Sequence, residues 1–289
     1  MKSGYVAIVG LPNTGKSTLL NVLTGVKLSP VSPKPQTTRQ RVVGIVNSPD
    51  HQILFLDTPG ILEPRYELQR FMKQEIARAQ ADADVVLLVV EPAVPNLHSG
   101  PLETVLDRRR TVVAINKIDR IPESELPPVV EHYTRSGCSS VVPISALKQS
   151  GIEELRNALL TLLPNGMPYY PQDQMTTQPE RFFVGELLRE AVFMSYGEEI
   201  PYATIVEIAE FREQPGRKTL IRATVYVERE SQKGILIGRQ GRALKRLGSR
   251  ARREVEIFLG QPVYLELTVE TRPGWRRDQA FIRERFQDN

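Results

Sequence analysis

The chain has 289 residues, 25% of them charged and 40% hydrophobic, and a net charge of +4; this is ordinary for a soluble globular protein and long enough for two domains. One cysteine, Cys138, excludes an internal disulfide and a cysteine-based zinc site, and three scattered histidines argue against a histidine-rich metal site. No apolar run reaches the roughly 18–20 residues that span a bilayer, and a strand-like run follows Met1 directly, so we expect a soluble intracellular protein without a signal peptide.

Short apolar runs alternate with helix-like stretches through the first half of the chain. The runs are rich in valine and isoleucine, as in strands buried on both faces of a parallel sheet, and they occupy residues 5–9, 53–56, 85–90, 112–115 and 141–144. Helical patterns lie between them at residues 17–23, 68–79, 100–107, 129–136 and 152–163. The alternation predicts a doubly wound α/β domain over residues 1–165, with residues 41–46 as a further strand at an edge.

The pattern G-x-x-x-x-G-K-[ST] follows the first predicted strand and opens the first predicted helix, which is the context of a phosphate-binding loop. Glycines let backbone N–H groups surround phosphate oxygens, the lysine places a charge near the outer phosphates, and the helix N-terminus adds its dipole. A serine hydroxyl suits Mg²⁺. We expect nucleotide binding by Gly10, Leu11, Pro12, Asn13, Thr14, Gly15, Lys16, Ser17 and Thr18.

The D-T-P-G motif ends the strand predicted at residues 53–56. Its carboxylate can hold the Mg²⁺ shell, and its glycine N–H can sense the γ-phosphate. We therefore add to the expected nucleotide site Asp57, Thr58, Pro59, Gly60 and Ile61.

Two later motifs favour guanine over adenine. The N-K-I-D motif ends the strand at residues 112–115, and its aspartate can accept hydrogen bonds from guanine N1–H and N2–H₂, which adenine lacks. The S-A-L motif ends the next strand, where the alanine N–H can meet guanine O6. The residues expected to recognise the base are Asn116, Lys117, Asp119, Ser145, Ala146 and Leu147.

Four such motifs, in this order and at the edge where open α/β sheets bind ligands, resemble the Ras-like GTPase family. The resemblance implies a six-stranded sheet, GTP or GDP bound with Mg²⁺, and a nucleotide-controlled switch. A threonine should close over Mg²⁺ and the γ-phosphate as the first switch, either Thr38, which we prefer, or Thr37. The expected Mg²⁺ ligands are Ser17, Thr38 and Asp57, and the second switch should run from Asp57 into residues 63–69.

Two positions bear on hydrolysis. Ile61 occupies the place of the glutamine that orients water in Ras, so intrinsic hydrolysis should be slow or should use another group. An asparagine at the position of Asn13 coordinates K⁺ in some related GTPases, which predicts K⁺-stimulated hydrolysis unless Asn13 only supports the turn. The residues expected to act in hydrolysis are Thr38, Gly60, Asn13 and Lys16.

The sequence changes in character near residue 164, where a Pro-rich polar segment predicts a linker over residues 166–180. Beyond it, patterns predict a helix at residues 181–196, strands at 204–211 and 219–228, a glycine-containing helical region, and a strand at 263–269. This order predicts an α+β domain over residues 181–289 and matches the prokaryotic type (type II) of KH domain. The tail at residues 278–286 and Trp275 favour packing or a terminal helix over a site.

The net charge lies wholly in this second domain. Residues 1–180 hold 18 basic and 18 acidic side chains, whereas residues 217–253 hold 12 basic and 2 acidic ones. A basic stripe favours a polyanionic partner, although a solvated basic surface explains the charge alone equally well. G-x-x-G between two helices is the loop with which KH domains clamp nucleic acid, with helix capping as the alternative. The candidate RNA-binding residues are Lys233, Ile237, Gly238, Arg239, Gln240, Gly241, Arg242 and Lys245.

Together, PQTTR at residues 35–39, DTPGI at 57–61, QKGILIGRQG at 232–241 and VYLELTV at 263–269 resemble the Era family of GTPases over nearly the whole chain. GRQG departs from the more frequent lysine-rich loop but keeps both glycines and a cation. The resemblance implies binding of the 3′ end of 16S rRNA and assembly of the small (30S) ribosomal subunit. It also implies a cytoplasmic location, with peripheral association of some members with the inner face of the cell membrane; we expect a monomer.

Two alternatives of other classes stay open at this point. One is a passive RNA-binding assembly protein that uses nucleotide only for stability. The other is a membrane-surface GTPase whose basic stripe meets anionic lipid, although G-x-x-G between helices favours RNA.

Overall fold

The computed structural model describes residues 1–93, 107–135, 137–213 and 216–286. The chain divides into two compact units: the first comprises Met1–Ser29, Thr38–Arg65 and Gln69–Thr177, and the second Pro30–Thr37, Tyr66–Leu68 and Gln178–Asn289. The helix predicted at residues 100–107 lies, apart from its last residue, outside the described residues. Within the described ranges, no helix is long and apolar enough to cross a membrane.

Six strands form the sheet of the first unit: β1 (Lys2–Val9), β2 (Val42–Asn47), β3 (His51–Asp57), β4 (Val85–Val90), β5 (Thr111–Ile115) and β6 (Ser140–Pro143). Their order across the sheet is β2-β3-β1-β4-β5-β6. Neighbouring strands are parallel, except that β2 at the edge runs antiparallel to β3. The predicted α/β fold with a further edge strand is confirmed.

Among the described residues, four helices alternate with these strands: α1 (Lys16–Thr24), α2 (Glu67–Asp82), α3 (Leu126–Arg135) and α4 (Ile152–Leu162). Every residue of β3, β4 and β5 is buried, which explains why these runs are continuously apolar and do not alternate. Because β1, β3, β5 and β6 run in the same direction, the loops after them lie along one edge of the sheet. That edge carries all four nucleotide motifs.

The Pro-rich segment after α4 belongs to the first unit as far as Thr177. It follows the edge strand β2, where the Ile45 N–H donates to the Met175 carbonyl at 2.8 Å and the Asn47 side chain donates to the Gln174 carbonyl at 2.9 Å. The Thr176 hydroxyl donates to the Val43 carbonyl at 2.6 Å. Backbone groups of an edge strand that would otherwise need water are therefore satisfied by this segment.

The second unit contains a three-stranded sheet and five helices: α5 (Glu180–Ser195), α6 (Ile200–Ala203), β7 (Ile205–Arg212), β8 (Thr219–Val227), α7 (Glu230–Ile237), α8 (Arg242–Leu259), β9 (Val263–Thr271) and α9 (Gln279–Phe286). β8 lies in the middle, antiparallel to β7 and parallel to β9. The order of helix, strand, strand, helix, helix and strand is the one predicted for a type II KH domain, with α6 and α9 in addition.

The core of the second unit contains buried residues of α5, β8 and α8. β8 buries alternate residues, and α8 buries a stripe at Leu247, Ala251 and Val255. This spacing of four residues matches the helical period, so one side of α8 packs inward while the cations of the helix stay outside. Trp275 is fully buried, and its indole N–H donates to the Ala203 carbonyl at 2.8 Å, so it is a packing residue.

Substitution of Leu247 tests this arrangement. Leu247 is 2% exposed, so Leu247→Ala leaves a cavity between α8 and the sheet and should lower the free energy of unfolding by about 2–5 kcal/mol. Ile257 on the same helix is 77% exposed, and Ile257→Ala should change the urea midpoint little. Urea unfolding followed by circular dichroism measures both; equal midpoints for the two variants would contradict the packing of α8.

Candidate functional site

The phosphate loop lies between β1 and α1, and its shape leaves no room for a side chain at its second glycine. Gly15 has φ +95°, and a Cβ there would lie 2.3 Å from Asn116 Nδ2. Asn13 also adopts a left-handed conformation, with φ +64°. The loop is therefore packed directly against the Asn116 side chain after β5.

Lys16 is buried inside this loop. Its ammonium donates to the Gly10 carbonyl at 3.1 Å and to the Leu11 carbonyl at 2.8 Å. Burial lowers the pKa of Lys16 to about 8. The Asp57 carboxylate partly opposes this lowering, and the positive charge of Lys117 adds to it. A buried ammonium with this pKa is stabilised by an anion placed beside it, and phosphate oxygens are anions of the right kind.

Three oxygen-bearing side chains meet in front of α1. The Ser17 hydroxyl donates to Asp57 Oδ2 at 2.8 Å, and it lies 2.8 Å from the Thr38 hydroxyl, which itself lies 3.4 Å from Asp57 Oδ2. Thr37 is engaged elsewhere, because its hydroxyl donates to the Lys34 carbonyl at 2.8 Å. Of the two candidate threonines, Thr38 is thus the one beside Ser17 and Asp57.

This trio fits a magnesium ion. Mg²⁺ prefers oxygen ligands, and cis ligands of an octahedral ion at its usual bond length lie about 3 Å apart, close to the 2.8 Å between the two hydroxyl oxygens. Burial raises the pKa of Asp57, so a cation at this place also favours the ionised carboxylate. In the described part of the chain no three His, Cys, Asp or Glu side chains cluster as a metal site.

The D-T-P-G segment crosses directly over the phosphate loop. A Cβ at Gly60 would lie 2.7 Å from Pro12 Cα, and the Ile61 N–H donates to the Gly10 carbonyl at 3.0 Å. The Thr58 hydroxyl donates to the Ile8 carbonyl at 2.8 Å, which fixes the start of the segment on β1. Ile61 is buried and apolar, so its side chain cannot orient a water molecule.

Asn116 joins the loops that are expected to hold the base. Its amide donates to the Thr14 carbonyl at 2.8 Å, and its side-chain oxygen accepts the Ala146 N–H at 2.9 Å. That N–H is the one expected to meet guanine O6, so a base could use it only by sharing it or by displacing Asn116. The O6 contact stays a prediction.

Lys117 lies beside the phosphate loop as well. Its ammonium donates to the Asn13 carbonyl at 2.5 Å and forms an ion pair with Glu91, the first residue after β4. Sequence reasoning missed Glu91, because a single carboxylate after an apolar strand belongs to no motif. Its signal is positional: β4 lies between β1 and β5, so its end must lie between their loops.

Asp119 accepts a hydrogen bond from a hydroxyl of the S-A-L motif. The Ser145 hydroxyl donates to Asp119 Oδ1 at 2.5 Å, and this hydrogen bond lowers the pKa of Asp119. The carboxylate is therefore ionised at neutral pH and can accept hydrogen bonds from a guanine edge. Leu147, the last residue of the same motif, is exposed, and Thr18 lies in the first turn of α1.

In the second unit, the G-x-x-G loop joins α7 to α8. Gly238 has φ +69°, and a Cβ there would lie 2.6 Å from the Cβ of Ala243, so only glycine fits. Gln240 is also left-handed, with φ +52°. Side chains of the loop and of the first turn of α8 project outward: Arg239, Gln240, Arg242 and Lys245 are exposed, and Lys233 and Ile237 before the loop are half-buried.

A groove of about 360 Å³ begins at this loop and follows α8. Leu265 and Leu267 of β9 form its apolar side. The α8 side and the loop contribute Gly241, Leu244, Lys245, Gly248, Ser249 and Arg252. Sequence reasoning missed both leucines, Gly248 and Arg252. The available signal was the period-two alternation of β9, which places Leu265 and Leu267 on one face of the strand. An apolar wall with a cationic rim suits a nucleobase beside its phosphate.

Comparison with known proteins agrees with this geometry. A family described as 50S ribosome-binding GTPase matches residues 5–117, and the KH domain family matches residues 199–276. Fold and site thus define a P-loop GTPase domain followed by a KH domain. The chain is 41% identical to GTPase Era of Lacticaseibacillus paracasei, over 97% of this chain and 95% of that protein. The chain belongs to the Era family and is a GTPase.

Further relatives span the same two domains. A chloroplastic ERA-like GTPase of Arabidopsis thaliana is 40% identical, over 98% of this chain and 68% of its own length. An Aquifex aeolicus Era variant bound to GDP and AlF₄⁻ superposes with a TM-score of 0.92 at 40% identity, covering 98% of both chains. Era in complex with MgGDPNP and nucleotides 1506–1542 of 16S rRNA superposes with a TM-score of 0.92 at 41% identity, covering 98% of both chains.

The bond between Ser145 and Asp119 yields a prediction for nucleotide affinity. Ser145→Ala removes the donor that orients the carboxylate, so GDP and GTP should bind about fivefold more weakly, with guanine still preferred over adenine. Ser150→Ala is the matched control, because Ser150 contacts Ser145 through backbone groups. Fluorescent-nucleotide titration measures both variants; unchanged affinity in Ser145→Ala would show that Asp119 needs no such support.

Proposed function

We propose that this chain is a GTP-hydrolysing switch that binds the 3′ end region of 16S rRNA and assists assembly and maturation of the small (30S) ribosomal subunit. The observation that carries the proposal is the groove between the G-x-x-G loop, α8 and β9, with its apolar wall and cationic rim. Era solved with nucleotides 1506–1542 of 16S rRNA, similar to this chain over 98% of its length, supports the choice of RNA.

On the nucleotide side, Lys16 binds the outer phosphates, and Ser17 and Thr38 hold Mg²⁺ with the help of Asp57. When bound, Mg²⁺ offsets negative charge on the phosphate oxygens. The Gly60 N–H contacts the γ-phosphate, and Asp119 selects guanine. Because Ile61 cannot orient water, we expect a slow intrinsic rate, which the proposed role as a switch requires.

On the RNA side, the backbone passes close to Gly238 and Gly241, where the absence of side chains lets phosphates approach. Arg239 and Lys245 supply charge on either side of that path, and Lys233, Gln240 and Arg242 extend it. Leu265 and Leu267 accept a base. We therefore assign the RNA site to the loop and groove together.

Nucleotide and RNA binding are linked only if the two nucleotide states differ in their affinity for RNA. Thr38 and Gly60 are the residues that respond to the γ-phosphate, so the linkage begins there.

We retain a GTPase domain over residues 1–165, a linker over 166–180 and a KH domain over 181–289. We also propose a cytoplasmic monomer with peripheral association with the inner face of the cell membrane.

The decisive experiment measures RNA affinity. Arg239→Gln with Lys245→Gln removes two phosphate contacts, so affinity for a 16S 3′-end RNA should fall at least tenfold and the logarithmic salt slope by about 1.4. Arg217→Gln with Lys218→Gln is the control, because both side chains are exposed and do not line the groove. GTP hydrolysis should be unchanged in both variants.

The same measurement tests the switch. Wild-type protein should bind this RNA with different affinity in the presence of GDP and of a non-hydrolysable GTP analogue. Identical affinities would support the passive RNA-binding alternative instead. If the groove variant kept full affinity while the control lost it, the RNA site would lie elsewhere.

A second prediction concerns K⁺. Asn13 is exposed at the phosphate loop, and we propose that it coordinates K⁺ near the α- and β-phosphates. GTP turnover should therefore be severalfold faster in KCl than in NaCl at equal ionic strength, and Asn13→Ala should abolish the difference. Equal turnover of the wild-type protein in the two salts would leave Asn13 with a role in turn geometry only.

A further inference from the structure

α8 exposes a second side besides the one that lines the groove. Arg242, Arg246, Arg250 and Arg253 follow one another at intervals of four, four and three residues, so they share one face of the helix. We call these four residues the outer face of α8. They line an open depression of about 750 Å³ together with Lys245, Ser249 and Glu254.

The outer face is strongly cationic. All four arginines are exposed, and Glu254 is the one carboxylate among the residues that line the depression. Like charges at a spacing of four destabilise a helix, and four cations along about 16 Å raise a strong positive potential. This cost is offset when an anion with regularly spaced charges lies along the helix.

We propose that the outer face of α8 binds the phosphodiester backbone of the RNA strand where that strand leaves the G-x-x-G loop, without regard to base sequence. The inference rests on the proposed RNA-binding function and adds a second surface to it. Guanidinium groups present paired donors that match phosphate oxygens, which favours arginine here over lysine.

Continuity with the groove supports a single strand as the occupant. Arg242 follows Gly241 directly, and Lys245 and Ser249 line both the groove and the depression beside the outer face. A strand held at the loop therefore meets the first cation of the outer face without a gap. A double-stranded-RNA-binding domain contacts two successive minor grooves of its duplex, a longer footprint than one helix face of about 16 Å.

The composition of the face disfavours a membrane as its partner. Every side chain that lines the depression is polar or charged. A helix that lies in a membrane interface also inserts an apolar side, but the apolar stripe of α8 is buried in the core at Leu247, Ala251 and Val255. The outer face thus presents four cations to a polyanion, and its one neighbouring exposed apolar side chain, Ile257, lies one turn beyond Arg253.

The test separates the two surfaces with RNA probes of different length. Arg246→Gln with Arg250→Gln alters only the outer face, and Arg217→Gln with Lys218→Gln is again the charge-matched control. The probes are a hexanucleotide from the 16S 3′ end, the same RNA with six uridines added at either end, and a dodecauridine. Fluorescence anisotropy at several salt concentrations measures affinity, and GTP turnover confirms folding.

For the wild-type protein and the control, uridines added at one of the two ends should raise affinity about tenfold. The outer-face variant should lose that gain, together with about 1.4 units of the logarithmic salt slope, while its affinity for the hexanucleotide stays within twofold. If the wild-type protein does not bind the hexanucleotide at all, the proposed function fails. Dodecauridine then tests the outer face by itself: binding of dodecauridine should be weaker in the outer-face variant and unchanged in the control.

Three results would overturn the proposal. The first is an equal loss for the hexanucleotide and the extended RNA, because the outer face would then be part of the groove. The second is an unchanged gain from the uridines. The third is an outer-face variant that binds the single-stranded extended RNA normally but loses binding to another probe. Lost binding to vesicles of phosphatidylglycerol would make a membrane the partner of this face, and lost binding to an RNA with a base-paired extension would make a duplex the partner.

Discussion

The nucleotide site depends on the side chain of Asn116. Its amide donates to the Thr14 carbonyl in the phosphate loop, and its oxygen accepts the Ala146 N–H after β6. Gly15 packs so closely against this amide that any Cβ would overlap it. Three loops from three strand ends thereby become one rigid cradle, and the order of the strands is what brings them within reach. The contacts of Lys117 and of Asp119 with Ser145 extend this cradle outward.

Burial gives the cradle its affinity for charge. The pKa of Lys16 is lowered and that of Asp57 is raised, and desolvation is the main cause in both. Each group is thus less stable in its ionised form than it would be in water. A nucleotide phosphate beside Lys16 and a cation beside Asp57 reverse both penalties, so ligand binding should stabilise the fold as well as prepare the chemistry. Placing opposite charges in one buried site favours a phosphate–metal pair over either ion alone.

Much of this could be read from the sequence because the signals are local. Continuous apolar runs identified strands buried on both faces, and motifs at their ends identified the nucleotide loops. The choice between Thr37 and Thr38 could not be read, because adjacent threonines have equal chemistry and only the fold decides which one meets Ser17. The Pro-rich segment after α4 has a loop composition, yet its backbone pairs with β2, and composition carries no signal for such backbone hydrogen bonds. Glu91 was missed for a related reason, since its partner Lys117 is 26 residues away in the sequence, in the loop after the neighbouring strand β5.

The helix α8 illustrates how one periodic sequence meets three demands. Positions 247, 251 and 255 face the core, Gly248 and Arg252 beside them face β9, and the outer face carries four arginines. At Gly248 a Cβ would lie 3.4 Å from Leu267 Cδ1, an ordinary contact distance, so β9 passes close to this side of α8. An α-helix has 3.6 residues per turn, so residues on neighbouring sides of α8 are one or two positions apart in the sequence. An arginine of the outer face that was moved by one position would therefore enter the core or block the groove. The arginine spacing on α8 is therefore constrained from both sides.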